Sequence, residues 1–353
     1  MIRAILAALI LTIGSPALAQ TAPSPPLVIA HRGASGERLE HTRAAYELAV
    51  EQGADIIEPD LVMTRDGHLV VRHENEISET TDVADHPAFA ARRTTRIIDG
   101  RAVTGWFTED FTLAELQTLR ARERLPQLRP ANTAFDGTEP ILTFQQVIDI
   151  ARDATARTGR VIGIAPELKH PSHFAARGLD MEGVFVRTLR DNGLTDADAP
   201  VIVQCFEIAP LVRLDAVIDT PLLQLLAPSG APFDRPDVTY AGMATPEGLA
   251  QIATYADWIG VETTMIEPRD AAGAALPPTT LITDAHAAGL KVAAWTFRAE
   301  NYFLPLADRN DPTDLAAHGN LSAMVSRFEG HGVDAVFIDH PGRIARAQRT
   351  SGR

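Results

Sequence analysis

Short apolar runs alternate with longer amphipathic stretches almost to the C-terminus. The runs LVIAH (27–31), DIIEPDLVM (55–63), HLVVRH (68–73), RVIGIAPEL (160–168), PVIVQCF (200–206), PLLQLLA (221–227), WIGVETTM (258–265), KVAAWTF (291–297) and DAVFID (334–339) read as strands. Between them, TRAAYELAVEQG (42–53), TFQQVIDIARDATARTG (143–159), GVFVRTLRDNG (183–193), PEGLAQIATYAD (246–257) and TTLITDAHAAG (279–289) show helical patterning. Several end in glycine directly before the next run, a common helix stop. Repeated strand-then-helix units predict an α/β fold with a parallel sheet, best satisfied by a TIM-type (β/α)8 barrel.

Nine runs must then be reconciled with eight strands. Leu61 to Val71 carries Asp66-Gly67 between two apolar runs, which is a hairpin signal. A two-residue turn cannot join parallel strands, so one antiparallel departure is expected here. Pairing across that turn brings Glu58 and Asp60 to the same end as His73. From about residue 75 to 140 the rhythm breaks. TTDVADHPAFAARRTTRIIDGRAVTGWFTEDF has no clean period, and it is followed by helical TLAELQTLRA with Thr112 as its cap and then by a Pro-rich connector. This region is expected to be an insertion after the second or third strand region, folded over the barrel mouth where βα loops carry function. Segments 228–240 and 308–320 are irregular and are expected to add to the rim.

The first nineteen residues change the picture. MIRAILAALILTIGSPALA has Arg3 at its start, an apolar stretch Ala4 to Ile13, and Ala17-Leu18-Ala19 as a small-x-small cleavage site. It is expected to be a signal peptide (1–19) directing residues 20–353, a single barrel domain, to the periplasm. The apolar stretch is too short for a membrane span, which needs about twenty residues, so no stable membrane insertion is expected. Cys205 is the only cysteine, which rules out an internal disulfide. Its neighbours mark it as a buried small residue and not a nucleophile. With 32 basic against 46 acidic residues, net charge −14, the chain is poorly suited to nucleic acid. A small phosphate ester needs only a local basic site and remains open. Nothing in the sequence sets an oligomeric state.

Candidate chemistry clusters where the runs end. Glu58 and Asp60 are two positions apart on a strand and share a face, and Glu167 ends another run. Three carboxylates amid buried apolar runs are expected to hold a cation, since an uncompensated buried charge costs several kcal/mol. Oxygen ligands favour Ca²⁺ or Mg²⁺ over zinc or copper. Pro59 between the pair is awkward for an internal ladder and predicts that the strand ends or bulges there. His31 and His73 each follow a buried-type run and suit proton transfer at opposed positions on phosphorus. Most other histidines, such as His86, His170 and His331, read as surface or loop residues. Arg32 and Lys169 are candidates for phosphate oxygens; the alternative is an ion pair with a neighbouring carboxylate, such as Lys169 with Glu167, and the two roles do not exclude each other. Phe206 and Trp295 end strands and can wall an alcohol moiety or serve simply as core.

Taken together, HRGASGERLEHT (31–42), IIEPDLVMTRDGHLVVRHE (56–74), APELKHP (165–171), QCF (204–206), WTF (295–297) and GVDAVFIDHP (332–341) resemble the ordered blocks of the glycerophosphodiester phosphodiesterases, specifically the exported bacterial type. The insertion with WFTEDFTLAELQTLRA (106–121) is similar to that of the longer periplasmic members. The resemblance runs from about Leu27 to Arg343. It implies a TIM-type barrel, His31 and His73 as catalytic pair, and Glu58, Asp60 and Glu167 around one divalent cation, Ca²⁺ ahead of Mg²⁺. Arg32, Lys169, Phe206 and Trp295 fall on substrate contacts. The implied substrate is a small glycerophosphodiester such as glycerophosphocholine or glycerophosphoethanolamine, cleaved to sn-glycerol 3-phosphate and an alcohol. The usual scheme of the family has the neighbouring glycerol hydroxyl attack phosphorus first, giving a cyclic phosphate that water then opens.

The sequence departs from the family pattern at Leu39, where proline is usual, at Glu74, where aspartate usually follows the second histidine, and at Trp295, where some members carry tyrosine. Glu74 bears on ion preference and Trp295 on the alcohol accepted. Two other functions remain in view: a phospholipase-type diesterase on the same barrel, and a non-catalytic exported glycerol-phosphate-binding protein. The first needs an apolar approach to the mouth, which the Arg-rich insertion does not advertise. The second would not need two histidines and three carboxylates intact.

Overall fold

In a computed structural model describing residues 25–344, Pro59 divides the second apolar run into two short strands, as its missing N–H predicts. The strands are β1 (Leu27–His31), β2 (Ile56–Glu58), β3 (Asp60–Met63), β4 (Leu69–Val71), β5 (Thr94–Ile98), β6 (Arg101–Gly105), β7 (Gly163–Ile164), β8 (Glu167–Leu168), β9 (Val203–Cys205), β10 (Leu222–Leu226), β11 (Trp258–Glu262), β12 (Lys291–Phe297) and β13 (Ala335–Ile338). β2 and β3 are two halves of one barrel strand, and so are β7 and β8. β1 pairs in parallel with both β2 and β13, and the neighbours continue through β7/β8, β9, β10, β11 and β12. That circuit is an eight-position parallel ring, the α/β barrel expected from the pattern. β4 lies outside it, antiparallel to β3 with Leu61 opposite Val71. The ninth run is therefore the hairpin arm that Asp66-Gly67 requires.

Helices follow the strands where the periodicity places them, including Arg43–Glu51, Phe144–Thr158 and Met181–Asp191. Thr143 caps the second of these in a capping box with Gln146, and Gly159 closes it in the left-handed conformation. Two apolar layers result. One packs strands against helices. The other, inside the ring, contains Ile29, Ile56, Ala165, Ile202, Leu223, Leu225, Ala293, Ala335 and Phe337. Because side chains alternate along a strand, the residue two positions further on faces the same interior. That rule aims His31, Glu58, Glu167, Gln204, Trp295 and Asp339 into the barrel mouth.

Between β4 and the helix Phe144–Thr158 the chain makes its long excursion. Two expectations for it need correction. The stretch without clean period contains a regular antiparallel hairpin, β5–β6, with Asp99 and Gly100 both at positive φ (46° and 78°). The Asp-Gly signal was present in IIDGRA and simply lay among charged residues. TLAELQTLRA is helical only over Leu113–Leu116, although Thr112 caps it as expected. The excursion crosses the mouth: Arg124 reaches Glu40 and Glu74, and Arg129 reaches Ser35, Glu300 and Asp339. Segment 1–19, read as a leader, lies outside the described residues. Among those described, no helix is long and apolar enough to cross a membrane.

Candidate active site

β1 ends in His31, and the chain then turns sharply. Arg32 has φ 60° and Gly33 φ 84°, both left-handed. At Gly33 a Cβ would come within 2.7 Å of the Ala45 carbonyl carbon, so only glycine fits this approach to the first helix. The tight turn aims the Arg32 backbone N–H at Glu58 Oε2, 2.7 Å away. Ser35 Oγ donates to the His31 carbonyl at 2.8 Å and fixes the same corner.

The imidazole of His31 is held by a carboxylate. Its Nδ1 lies 2.7 Å from Asp339 Oδ1, at the end of β13. Burial, with Arg32 next, lowers its pKa to about 4 despite Asp339. Asp339 remains ionised: burial opposes this, but Arg129 and Arg298 outweigh it. An ionised carboxylate only accepts, so the ring proton sits on Nδ1 and Nε2 is left as a bare base. His73 is arranged in the same way. Its Nδ1 lies 2.5 Å from Glu74 Oε1, and Arg124 grips Glu74 with a fork at 2.9 and 2.6 Å. Burial, Arg32 and Lys169 lower His73 to about 3. Lys169 Nζ lies 3.2 Å from His73 Nε2 and donates to Glu167 Oε1 at 2.8 Å.

Glu58, Asp60 and Glu167 bring carboxylate oxygens within 4.8 Å of one another. The ring register does this, with His31 opposite Glu58 and Asp60 opposite Glu167. Burial and the Asp60 charge push Glu58 well above the usual carboxylate range, and burial raises Glu167 to about 8. Burial also acts to raise Asp60, but the neighbouring His73, Arg32, a 2.9 Å hydrogen bond from His41 Nε2 and Lys169 hold it well below that range. Asp60 Oδ1 is buried with no partner. An all-oxygen donor set with mutual repulsion and an orphaned oxygen fits a hard divalent cation.

These groups open on one cavity of about 380 Å³, lined by His31, Arg32, Glu58, His73, Glu167 and Lys169, with Phe206 and Trp295 on its wall. Asp60 sits behind it. Thus the sequence-predicted residues converge. Phe206 and Trp295 meet edge to face at 5.9 Å, and Lys169 Nζ lies 5.6 Å above the Phe206 ring. Lys169 both pairs with Glu167 and faces the cavity, so its two readings coexist. Cys205 is buried with Sγ on the Leu168 carbonyl. A second chamber of about 820 Å³ shares Glu167, Lys169 and Phe206 and continues towards Asp99, Glu207 and Tyr240.

Several functional residues were missed. Asp339 was visible as the acid ending DAVFID, but nothing local tied it to His31, 308 positions away. Arg298 and Gln204 also line the cavity. His41, wholly buried, orients Asp60 and meets the Tyr46 hydroxyl at 2.9 Å. Its place in the opening motif was the available signal.

A barrel mouth with paired, carboxylate-held imidazoles beside a cluster of three carboxylates and buried basic side chains has the make-up of a phosphodiester-cleaving enzyme. Comparison with known proteins makes the class specific. Residues 31–343 match the glycerophosphoryl diester phosphodiesterase family, and the chain belongs to it. It is 35% identical over 337 residues to glycerophosphodiester phosphodiesterase GDPD6 of Arabidopsis thaliana, covering 92% of this chain and 86% of that protein. It is 31% identical over 262 residues to the Haemophilus influenzae glycerophosphodiester phosphodiesterase, covering 67% and 69%. A crystal structure from Silicibacter pomeroyi shares the fold with TM-score 0.62 at 22% identity, covering 94% of this chain and 95% of that one. An Oleispira antarctica phosphodiesterase, solved with sn-glycerol-3-phosphate, superposes with TM-score 0.60 at 21% identity, covering 92% and 97%.

Proposed function

We propose that the enzyme hydrolyses small glycerophosphodiesters to sn-glycerol 3-phosphate and an alcohol by histidine acid–base catalysis with one divalent cation. The observation that carries this is the pairing of two imidazoles, each fixed at Nδ1 by an ionised carboxylate, over one cavity with the three carboxylates. With Nδ1 protonated, Nε2 of each ring is the working nitrogen. One, bare at Nε2, accepts the proton of the attacking hydroxyl; the other must first take up a second proton at Nε2 from solvent, and gives that proton to the departing alkoxide while its Nδ1–H stays on its carboxylate. Arg32, Lys169 and Arg298 surround the space a phosphoryl group would take and offset its charge. Glu58, Asp60 and Glu167 would hold Ca²⁺ or Mg²⁺, which supplies Lewis-acid stabilisation of charge developing on phosphoryl oxygen. The occupancy of the Oleispira relative by sn-glycerol-3-phosphate supports the product assigned here.

The adjoining chamber suits the alcohol portion. Its aromatic Phe206 and Tyr240 beside Asp99 and Glu207 fit a polar or cationic headgroup such as choline or ethanolamine better than acyl chains. We further propose export to the periplasm, on the strength of the leader pattern in residues 1–19. The test is release of glycerol 3-phosphate from glycerophosphocholine after chelation and after restoring Ca²⁺ or Mg²⁺. Activity lost on chelation and regained with one ion is expected. A folded protein silent with every ion and headgroup would refute the assignment, and cleavage of intact phospholipid alone would favour the phospholipase alternative.

A further inference from the structure

Among the described residues, one other group brings three metal-ligating side chains together: Glu300, His318 and His340, each offering a ligand atom within 4.8 Å of the other two. They come from three separate segments at the C-terminal end of the barrel. Glu300 follows β12, His318 closes the irregular 308–320 segment and bridges back to Glu300, and His340 directly follows β13. Glu300 and His340 are wholly buried. Both ring nitrogens of His340 and Oε2 of Glu300 lack any hydrogen-bond partner. A buried imidazole with neither nitrogen satisfied is costly, by about 1–3 kcal/mol for each unpaired group. Here the two orphans belong to the same cluster. The protein also leaves room for the ring: a Cβ on Gly36 would collide with it.

We propose that Glu300, His318 and His340 form a second metal site that takes a zinc-class transition ion and ties these three segments together. Two imidazoles and one carboxylate suit Zn²⁺ and its neighbours, whereas Ca²⁺ and Mg²⁺ prefer the oxygen-only trio in the cavity. Tetrahedral ligation at about 2.0–2.2 Å places ligand atoms about 3.3 Å apart, so each pair needs to close by at most about 1.5 Å. Solvent supplies the fourth position on the side of half-buried His318. Two cations face the cluster. Arg129 Nε donates to Glu300 Oε1 at 2.5 Å, which leaves Oε2 as the ligand and steadies the carboxylate from behind. Arg343 Nη2 lies 2.5 Å from His318 Nδ1, and being exposed it swings away when His318 ligates. His340 adjoins Asp339, so an ion here also steadies the strand end that orients His31.

The test uses the full chain, stripped with chelator and then held in excess Ca²⁺ so that the carboxylate trio is filled. Zn²⁺ binding is measured by calorimetry and metal content, and Co²⁺ by its visible spectrum. One Zn²⁺ per chain, a tetrahedral Co²⁺ spectrum and a Zn²⁺-dependent rise in Tm are expected. His318→Ala and His340→Phe are each expected to weaken binding at least about a hundredfold, beyond the loss typical of outer-shell partners, and to abolish the Tm rise. If His340→Phe does not fold, His318→Ala decides the matter, because its side chain lies at the rim. No Zn²⁺ uptake in Ca²⁺, an octahedral Co²⁺ spectrum, or unchanged binding in His318→Ala would overturn the site.

Discussion

Replacing Asp339 by asparagine isolates the orientation of His31 from everything else in the cavity. Oδ2 of Asp339 accepts from Arg129 Nη2 at 2.5 Å and from Arg298 Nε at 3.0 Å. An asparagine must therefore turn its carbonyl oxygen towards those two donors, which leaves its NH₂ facing His31 Nδ1. The ring can then only accept at Nδ1, and its proton moves to Nε2, the nitrogen that should be a bare base. The geometry survives while the tautomer inverts. A fall of about 10³–10⁴-fold in kcat is the scale for an imidazole held in the wrong tautomer, equivalent to about 4–5.5 kcal/mol of barrier. KM should change little, since the phosphate-facing cations stay in place. Loss of the buried anion between two guanidiniums also destabilises the fold by about 3–5 kcal/mol. The assay is initial-rate release of glycerol 3-phosphate at a temperature where circular dichroism shows the variant folded. A folded Asp339→Asn enzyme with kcat within tenfold of the parent would refute this account of His31.

Arg124→Ala tests the clamp that the excursion places on the mouth. It leaves buried Glu40 without its bidentate partner and Glu74 free to move from His73, so a stability loss of about 2–4 kcal/mol and a drop of about tenfold or more in kcat are expected. Arg124→Lys should fall between, because a point charge cannot grip both carboxylates; equal kcat in all three proteins would sink the idea. Glu207 carries a pH signature: burial raises its pKa from 4.5 to about 7 in the folded protein. Its neutral form thus contributes stability that is complete below the unfolded value and is lost as pH rises through about 7. Glu207→Gln should stabilise the fold at about pH 8, by at most about 3 kcal/mol and so with a raised Tm, and leave Tm nearly unchanged at about pH 4.5. An equal shift at both pH values would contradict the assignment.

The order of strands and helices, the antiparallel arm at Asp66-Gly67 and the break at Pro59 were legible because each rests on local rules: side-chain alternation, turn chemistry and a missing N–H. The carboxylate-cluster and histidine positions were legible for a related reason. Residues that end an apolar run in a parallel barrel arrive together at one face, whatever their separation along the chain. The β5–β6 hairpin escaped because its residues are largely exposed and only Ile98 and Gly105 are buried, so no alternation of buried apolar positions marks it. Asp339, Arg298, Arg124 and Arg129 escaped because their roles are pairings across the mouth. Only closure of the ring brings β13 beside β1, and only the path of the excursion carries Arg124 to Glu74. By itself the sequence determined which residues could face a barrel mouth, since that follows from period and strand ends. The tertiary structure decided which tautomer His31 holds, what grips Glu74, and that Glu300, His318 and His340 meet, since through-space fields and contacts leave no trace in the local pattern.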